Sequence, residues 1–257
     1  MELSVYFLSS LLLLLMEVSG AVAVGYLAYV APLVFVCMTS ALVLVMGFVL
    51  EWQRLQHEFP YFFAGALSWR KRVMIVLSAM FETVGKALMA GFAALLAFGG
   101  TDPDRAIVFA AILIICVFAG TGLLRRAFWS FGARPLRWGY FRLVVPLGIL
   151  FSALVQVALL GGYLETSSFQ EVARSFVFEL PARANYDQVM ELIFQVRQLV
   201  DGLLTSLIVQ LFGSEWLVPA SILISLNVLS GFFVAIYAVL IGEMLLRIES
   251  KVVVRDV

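Results

Sequence analysis

Two ionisable side chains, Glu82 and Lys86, stand alone in the long apolar run from Val73 to Phe98. On an α-helix, residues four apart lie one above the other on one face. If the run crosses a bilayer, a rise of about 1.5 Å per residue puts both roughly half-way through a hydrocarbon core about 30 Å thick. Charges at that depth are costly, so they must pair, face water or face protein. We therefore expect something polar in the middle of the apolar helices.

Two further polar side chains lie as far from the start of their apolar runs as Lys86 lies from Val73, which is 13 residues. Glu17 lies 13 residues into a first predicted span that starts near residue 4, and Gln156 lies 13 residues into a fifth that starts near residue 143. If these spans begin at a common inner surface, both residues share one layer with Glu82 and Lys86. Two acids and one base leave that layer with one excess negative charge or one shared proton. The layer is a candidate cation or proton site.

The same residues also have a structural interpretation. A Glu–Lys pair on one helix can neutralise itself, and polar side chains often hold membrane helices together at about 1 kcal/mol per hydrogen bond. In that case Glu82 and Lys86 stabilise the bundle and carry nothing across it.

The composition is that of an integral membrane protein. Hydrophobic residues make up 63% of the 257 residues and charged residues 13%, far outside the usage of soluble proteins. Seventeen basic residues balance seventeen acidic ones, so the chain has no net positive charge that would favour nucleic acid as a partner. We expect the apolar N-terminal segment to be kept as a span, since no positive charge precedes it as in a signal peptide.

Enzyme chemistry finds little support in the sequence. His57 is the single histidine, which argues against histidine-rich metal sites. Cys37 and Cys116 lie inside apolar runs without a CxxC or Cys/His spacing, as is typical of small buried side chains. No motif of a serine hydrolase, a zinc protease or a P-loop is present. We expect no enzyme activity, no metal and no cofactor.

The apolar runs predict an all-α, polytopic helix bundle that forms a single membrane domain over residues 1–257. Pro32 divides a first run that is too long for one crossing, since a span needs about 20 to 25 residues. Six spans are predicted, at about 4–28, 32–51, 73–98, 105–124, 143–164 and 217–246. We expect polar connections over 51–72 and 125–142 and a short turn over 99–104.

A stretch over 186–212 is apolar but carries polar residues at steps of three and four, which predicts one polar stripe along an outer helix. The stripe consists of Asp187, Glu191, Gln195, Gln198, Asp201 and Thr205. This helix is too charged to face lipid on all sides. It can lie in the outer interface, dip in as a re-entrant helix, or cross as a seventh span that lines an aqueous path. We favour the first two.

Basic residues indicate the orientation. Five arginines and no acid occupy 125–142, with Trp and Tyr between them, which is typical of an interfacial segment over anionic lipid headgroups. They are Arg125, Arg126, Arg134, Arg137 and Arg142. With the N-terminus inside, the inner segments 51–72, 125–142 and 247–257 hold four, five and three Lys and Arg residues, and the outer segments 99–105 and 165–216 hold one and three. Both termini are therefore predicted to be cytoplasmic.

Two functions from different classes fit this sequence. The first is a subunit of an oligomeric channel or transporter that moves a cation or proton past Glu17, Glu82 and Lys86, with the polar stripe as an outer vestibule. The second is a non-catalytic structural or assembly subunit of a larger membrane complex of the secretion, translocation or respiratory type. Its docking surfaces would be the 125–142 segment and the outer helix. The expected partners are lipid and either further copies or other membrane subunits. We favour the first function.

Overall fold

The structure is a computed structural model that describes residues 2–63, 68–99, 103–164 and 185–253. These residues form nine α-helices and two 3-10 segments, with no strand among them. The helices are α1 Glu2–Val30, α2 Pro32–Phe62, α3 Trp69–Phe98, α4 Pro103–Phe131, α5 Pro135–Arg142, α6 Val144–Leu160, α7 Tyr186–Phe212, α8 Leu217–Ile224 and α9 Gly231–Val253. The 3-10 segments are Ser214–Trp216 and Leu226–Ser230. The prediction of an all-α fold is confirmed for the described residues.

Five helical segments are long and apolar enough to cross a membrane. They are most of α1, the whole of α2, α3 and α4, and the segment Leu226–Ser250, which contains most of α9. α5 and α6 pass the same test together, but they are bent by 55° where they meet at Leu143. The described part of the chain therefore has five such spans, or six if the bent pair is one span.

Two predicted connections are largely helical. α2 continues to Phe62 and α3 starts at Trp69, so most of 51–72 belongs to these two helices. Pro60 pointed to a loop, but it lies in the last turn of α2, where it removes only one main-chain hydrogen bond. The 125–142 segment likewise consists mostly of the end of α4 and the whole of α5. Residues 100–102 of the predicted turn lie outside the described residues.

The last predicted span, 217–246, is interrupted. α8 ends at Ile224, Ser225 is extended with ψ 144°, and a 3-10 segment follows before α9 begins. The Ser225 hydroxyl oxygen accepts hydrogen bonds from the main-chain and side-chain nitrogens of Asn227, at 3.1 and 2.8 Å. These bonds satisfy polar groups that the interruption would otherwise leave open. The structure thus differs from the continuous helix that the apolar run predicted.

α9 lies at the centre of the bundle. Of the apolar stretch that could span a membrane, 67% is buried within the protein in α9, against 11% in α1 and 28% in both α2 and α3. α9 runs parallel to α4, since a Cβ on Gly120 would contact Ala238 and one on Gly242 would contact Leu124. α1 runs antiparallel to α4. The peripheral helices expose large apolar side chains, as expected for helices that face lipid.

Five phenylalanines join five helices in the apolar core. They are Phe35 on α2, Phe98 on α3, Phe109 on α4, Phe151 on α6 and Phe233 on α9. Neighbouring rings have their centroids 5.3–6.5 Å apart, and most meet edge to face. Such pairs contribute about 0.5–1.5 kcal/mol each beyond the burial of their area. The cluster therefore holds the ends of these helices in fixed relative positions.

The bent pair and the interrupted span cross at two glycines. A Cβ on Gly231 would lie 1.9 Å from the main-chain oxygen of Val144, and a Cβ on Gly148 would lie 2.2 Å from that of Val228. The main chains of the two segments are thus in direct contact. Only glycine allows so close an approach, because every other residue carries a Cβ.

We predict that Gly148→Ala lowers the free energy of unfolding by about 2–3 kcal/mol, because the added methyl group meets a main-chain carbonyl that cannot turn away. Gly85→Ala is the matched control. Gly85 also lies inside an α-helix, but nothing lies within 4 Å of its added Cβ, so this change is expected to be neutral or slightly stabilising. Thermal unfolding of the detergent-solubilised protein measures both. Equal stabilities of the Gly148→Ala and Gly85→Ala variants would show that the main chains are not tightly packed at Gly148.

Candidate functional site

A network of ion pairs joins α2 to α3. The Glu51 carboxylate is wholly buried; it accepts a hydrogen bond from the Lys86 ammonium and lies 3.0 Å from Nη1 of Arg54. Arg54 also donates to Glu82 at 2.9 Å, and its Nε lies 3.3 Å from Glu58. Glu82 and Lys86 are therefore each paired with a residue of α2. We call these five residues the α2–α3 charge cluster.

The pairing sets the level of Glu82 and Lys86 along α2. The apolar part of α2, residues 32–50, is about 28 Å long at 1.5 Å per residue, close to the thickness of a hydrocarbon core. Glu51 follows it directly. Glu82 and Lys86 are therefore level with the end of this apolar part, whereas counting along α3 from Val73 predicted a position half-way through the bilayer.

Two aromatic rings of α5 lie near the cations of the cluster. Nζ of Lys86 is 5.5 Å from the ring centroids of both Tyr140 and Phe141. Cζ of Arg54 is 5.4 Å from the centroid of Phe141. Such contacts contribute about 0.5–2 kcal/mol each, more where water is excluded. They hold α5 against α2 and α3.

A cavity of about 190 Å³ lies beside the cluster, at the place where the two broken segments meet. It is lined by Val43, Lys86, Tyr140, Phe141, Val144, Phe232, Ala235 and Ile236. Val144 is the first residue after the bend between α5 and α6, and Phe232 is the second residue of α9, directly after its interruption. Lys86 and Tyr140 supply the only polar side chains of this lining.

The Tyr140 hydroxyl has no hydrogen-bond partner among the described residues, although only 7% of Tyr140 is exposed. The hydroxyl lies against the main chain of Gly47, where a Cβ would be 2.5 Å from it. A buried hydroxyl without a partner costs about 1–3 kcal/mol. A water molecule or a ligand in the cavity that accepts or donates a hydrogen bond here would remove that cost.

A second network joins α1, α4 and α9. Glu17 is 3% exposed; its carboxylate accepts a hydrogen bond from the Thr121 hydroxyl and lies 3.5 Å from Nη1 of Arg125. Arg125 also donates to Glu249 at 3.1 Å. We call these four residues the α1–α4–α9 charge cluster. With two acids and one base, it carries one excess negative charge when fully ionised.

The structure divides the predicted polar layer between these networks. Glu82 and Lys86 belong to the α2–α3 charge cluster, Glu17 belongs to the α1–α4–α9 charge cluster, and Gln156 lies half-buried on α6 in neither. The polar stripe lies on α7 throughout. Its Gln195 is half-buried. The side chains of Asp187, Glu191, Gln198, Asp201 and Thr205 lie outside the described part of the structure.

The five arginines of the 125–142 segment have different surroundings. Arg125 is half-buried in ion pairs, and Arg137 donates to the side chain of Gln53 on α2 at 2.8 Å. Arg126, Arg134 and Arg142 are exposed. Three arginines are thus placed where a lipid headgroup or another protein can reach them, and two hold helices together.

Sequence reasoning missed Glu51 and Arg54, because it assigned both to the end of a span and the connection after it. A signal was present, since Glu51, Arg54 and Glu58 follow one another at steps of three and four, the spacing of one helix face. That pattern indicates a helix that continues past the apolar run. Thr121 and Glu249 carry no comparable signal, because only the packing of α1 against α4 and α9 brings them to Glu17.

The α2–α3 charge cluster contains three carboxylates and two cations. Fully ionised, it carries one excess negative charge, which one bound proton or small cation neutralises. No three His, Cys, Asp or Glu side chains in the described part of the chain are grouped so that they could hold a metal ion. Proton binding requires a single carboxylate oxygen, which both clusters supply.

We predict that Arg125→Gln lowers the free energy of unfolding by about 2–4 kcal/mol, because it leaves the buried Glu17 carboxylate without its cation. Arg126→Gln is the matched control, since Arg126 is the next residue along α4 and is exposed; its loss is expected to change stability by less than about 0.5 kcal/mol. Thermal unfolding in detergent compares the two. A similar loss in both variants would contradict the assignment of Arg125 as the partner of Glu17.

Comparisons of the chain with protein-family models, with curated proteins and with solved structures find no match.

Proposed function

We propose that this chain is a subunit of an oligomeric membrane channel or transporter that moves a proton or a small cation through its helix bundle. One observation carries the proposal: two interrupted helical segments meet beside the α2–α3 charge cluster, and a cavity lies at their meeting point. Interrupted helices, a cavity and an uncompensated charge at one place are what passage of an ion requires.

The interruptions matter because lipid offers no hydrogen bonds. Irregular main chain is tolerated at membrane depth only where it is buried in protein or lines a cavity. In transporters, the ion or substrate site is typically built from such discontinuous helices. In this chain the bend at Leu143 and the interruption at 225–230 are packed against each other through Gly148 and Gly231.

The charge of the cluster favours a cation. Three carboxylates with two cations attract one further positive charge, and this attraction is strong where water is scarce. Arg54 contacts Glu51, Glu58 and Glu82 at once, so its ion pairs can redistribute when one carboxylate is neutralised. The cluster can therefore take up a positive charge and release it without losing every contact between α2 and α3.

A topology of six spans in the cell or inner membrane, with both termini cytoplasmic, fits the proposal. α9 is parallel to α4, so the chain between Leu160 and Gly231 leaves and re-enters on the same side if α5 and α6 together form one span. α7 then does not complete a crossing and lies on the outer side. The concentration of arginines over 125–142 supports an inner position for that segment.

A second function, that of an assembly subunit, is favoured by one surface. Beyond the α2–α3 charge cluster, the ends of α2 and α3 expose Tyr61, Phe62 and Trp69 by 88%, 76% and 77%. If the hydrocarbon core ends near residue 50 of α2, these rings project past it. Exposed aromatic groups of this kind are enriched in protein interfaces, so another membrane subunit is a suitable partner for them.

We predict that vesicles containing the purified protein move charge under an imposed cation gradient, as measured with a voltage-sensitive dye. Glu82→Gln removes the excess negative charge of the cluster and is expected to lower the rate about tenfold. Glu243→Gln is the matched control, because this acid of α9 pairs with the exposed Arg247 outside both clusters.

The assembly function predicts a different result. The wild-type protein would then move no charge, and the complex solubilised gently from its native membrane would contain foreign subunits in fixed stoichiometry. A homo-oligomer that moves charge, with a slower Glu82→Gln variant and an unchanged Glu243→Gln variant, supports the channel or transporter.

A further inference from the structure

We infer that the transported species is a proton, which passes through water in the cavity and through the Lys86–Glu51 ion pair. This inference rests on the proposed function and names its substrate. The cavity, the partly buried Lys86–Glu51 ion pair that borders it and the unpartnered Tyr140 hydroxyl carry the inference.

The lining of the cavity is suited to a proton and unsuited to a metal cation. The charged group that faces the cavity is the ammonium of Lys86, which repels a metal cation. The Glu51 carboxylate is wholly buried, and both of its oxygens already have cationic partners, Lys86 and Arg54. A metal cation would need several oxygen ligands in the open. A proton needs only a chain of hydrogen bonds.

Water in the cavity supplies that chain. A volume of about 190 Å³ holds roughly six water molecules at about 30 Å³ each. Six apolar side chains line most of the cavity. The Tyr140 hydroxyl and the Lys86 ammonium are the two side-chain groups of the lining that can form hydrogen bonds with this water. The hydroxyl has no competing partner among the described residues but is enclosed against Gly47, so a water molecule beside Lys86 reaches it only when the Tyr140 ring moves toward the cavity.

Three further buried polar side chains lie on α6 and in the interruption before α9, outside the lining of the cavity. Asn227 and Ser230 are buried in the 3-10 segment that is packed against α6. Ser152 lies on α6 eight residues after Val144, is wholly buried, and its hydroxyl has no partner among the described residues.

The transfer then proceeds in three balanced steps. The Lys86 ammonium gives a proton to the Glu51 carboxylate, which leaves a neutral amine and a carboxylic acid. The amine takes a proton from a hydronium ion in the cavity, which restores the ammonium and leaves water. Glu51 passes its proton to Glu58 as Arg54, which contacts both carboxylates, shifts between them; the Glu58 side chain is 47% exposed and releases the proton to solvent. One proton has moved from the cavity to the surface.

The test uses vesicles that contain the purified full-length protein, a pH-sensitive dye inside, and a potassium diffusion potential set by valinomycin. Proton entry is measured for the wild type and for two variants, and sodium and potassium fluxes are measured separately. Glu51→Gln/Lys86→Met removes the exchanging pair while keeping the interior neutral, so that it is expected to remain folded. Tyr140→Phe removes only the unpartnered hydroxyl. Glu243→Gln again serves as the control.

We expect proton entry by the wild type and by Glu243→Gln, without sodium or potassium flux. Entry falls to the leak of empty vesicles in the double variant, and it falls about fivefold in Tyr140→Phe, whose thermal stability is unchanged or higher because no hydrogen bond within the protein is lost. A purely structural Tyr140 would leave the proton rate unchanged.

Failure of the inference is distinguishable from failure of the proposed function. Sodium or potassium flux without proton flux overturns the inference and leaves a cation channel or transporter. Wild-type proton rates in the double variant also overturn it, because the exchanging pair would then be dispensable. The absence of proton, sodium and potassium flux from the wild-type protein overturns both the inference and the proposed function.

Discussion

The packing of α2, α3 and α5 follows from one buried carboxylate. Taking a carboxylate out of water costs several kcal/mol even after the surroundings relax, so Glu51 must be met by cations. Arg54 meets it from the next turn of α2, and Lys86 meets it from α3. This requirement fixes the register of α2 against α3. The rings of Tyr140 and Phe141 then lie near the cations, which places α5 and the bend that follows it.

The same physical rule, applied to the main chain, explains how α6 packs against the interrupted segment before α9. An interrupted helix leaves N–H and C=O groups open, and these must find partners inside the protein. The Ser225 hydroxyl oxygen is one such partner, since it accepts a hydrogen bond from the main-chain N–H of Asn227, and the main chains are in close contact at Gly148 and Gly231. A buried charge on one side and an interrupted main chain on the other thus border the same cavity. Neither feature is needed by a helix that only anchors a protein in lipid.

The sequence predicted the helical fold and most of the helices because apolar runs of span length have few alternatives in a bilayer. It predicted the bounds of α7 closely from polar residues at steps of three and four, and the structure adds a capping box of Asn185 and Gln188 at its start. It failed at the ends of α2 and α3, where a helix continues beyond the apolar run and hydropathy no longer reports it. The interruption at Ser225 was missed for the opposite reason, because its surroundings are as apolar as a continuous span.

The sequence likewise identified some residues of the candidate site and missed their partners. Glu17, Glu82 and Lys86 were recognisable because a charge within an apolar run is rare and must have a partner. Their partners depend on which helices are neighbours, and the spacing of residues along a single helix does not indicate this. The choice of partners bears on function. An ion pair of one acid and one base would be lost when its acid is neutralised. Arg54 instead has three carboxylates around it, so neutralising one of them still leaves α2 and α3 connected through another. The proposed proton transfer depends on this surplus, because the transfer requires α2 and α3 to stay connected while one carboxylate is neutral.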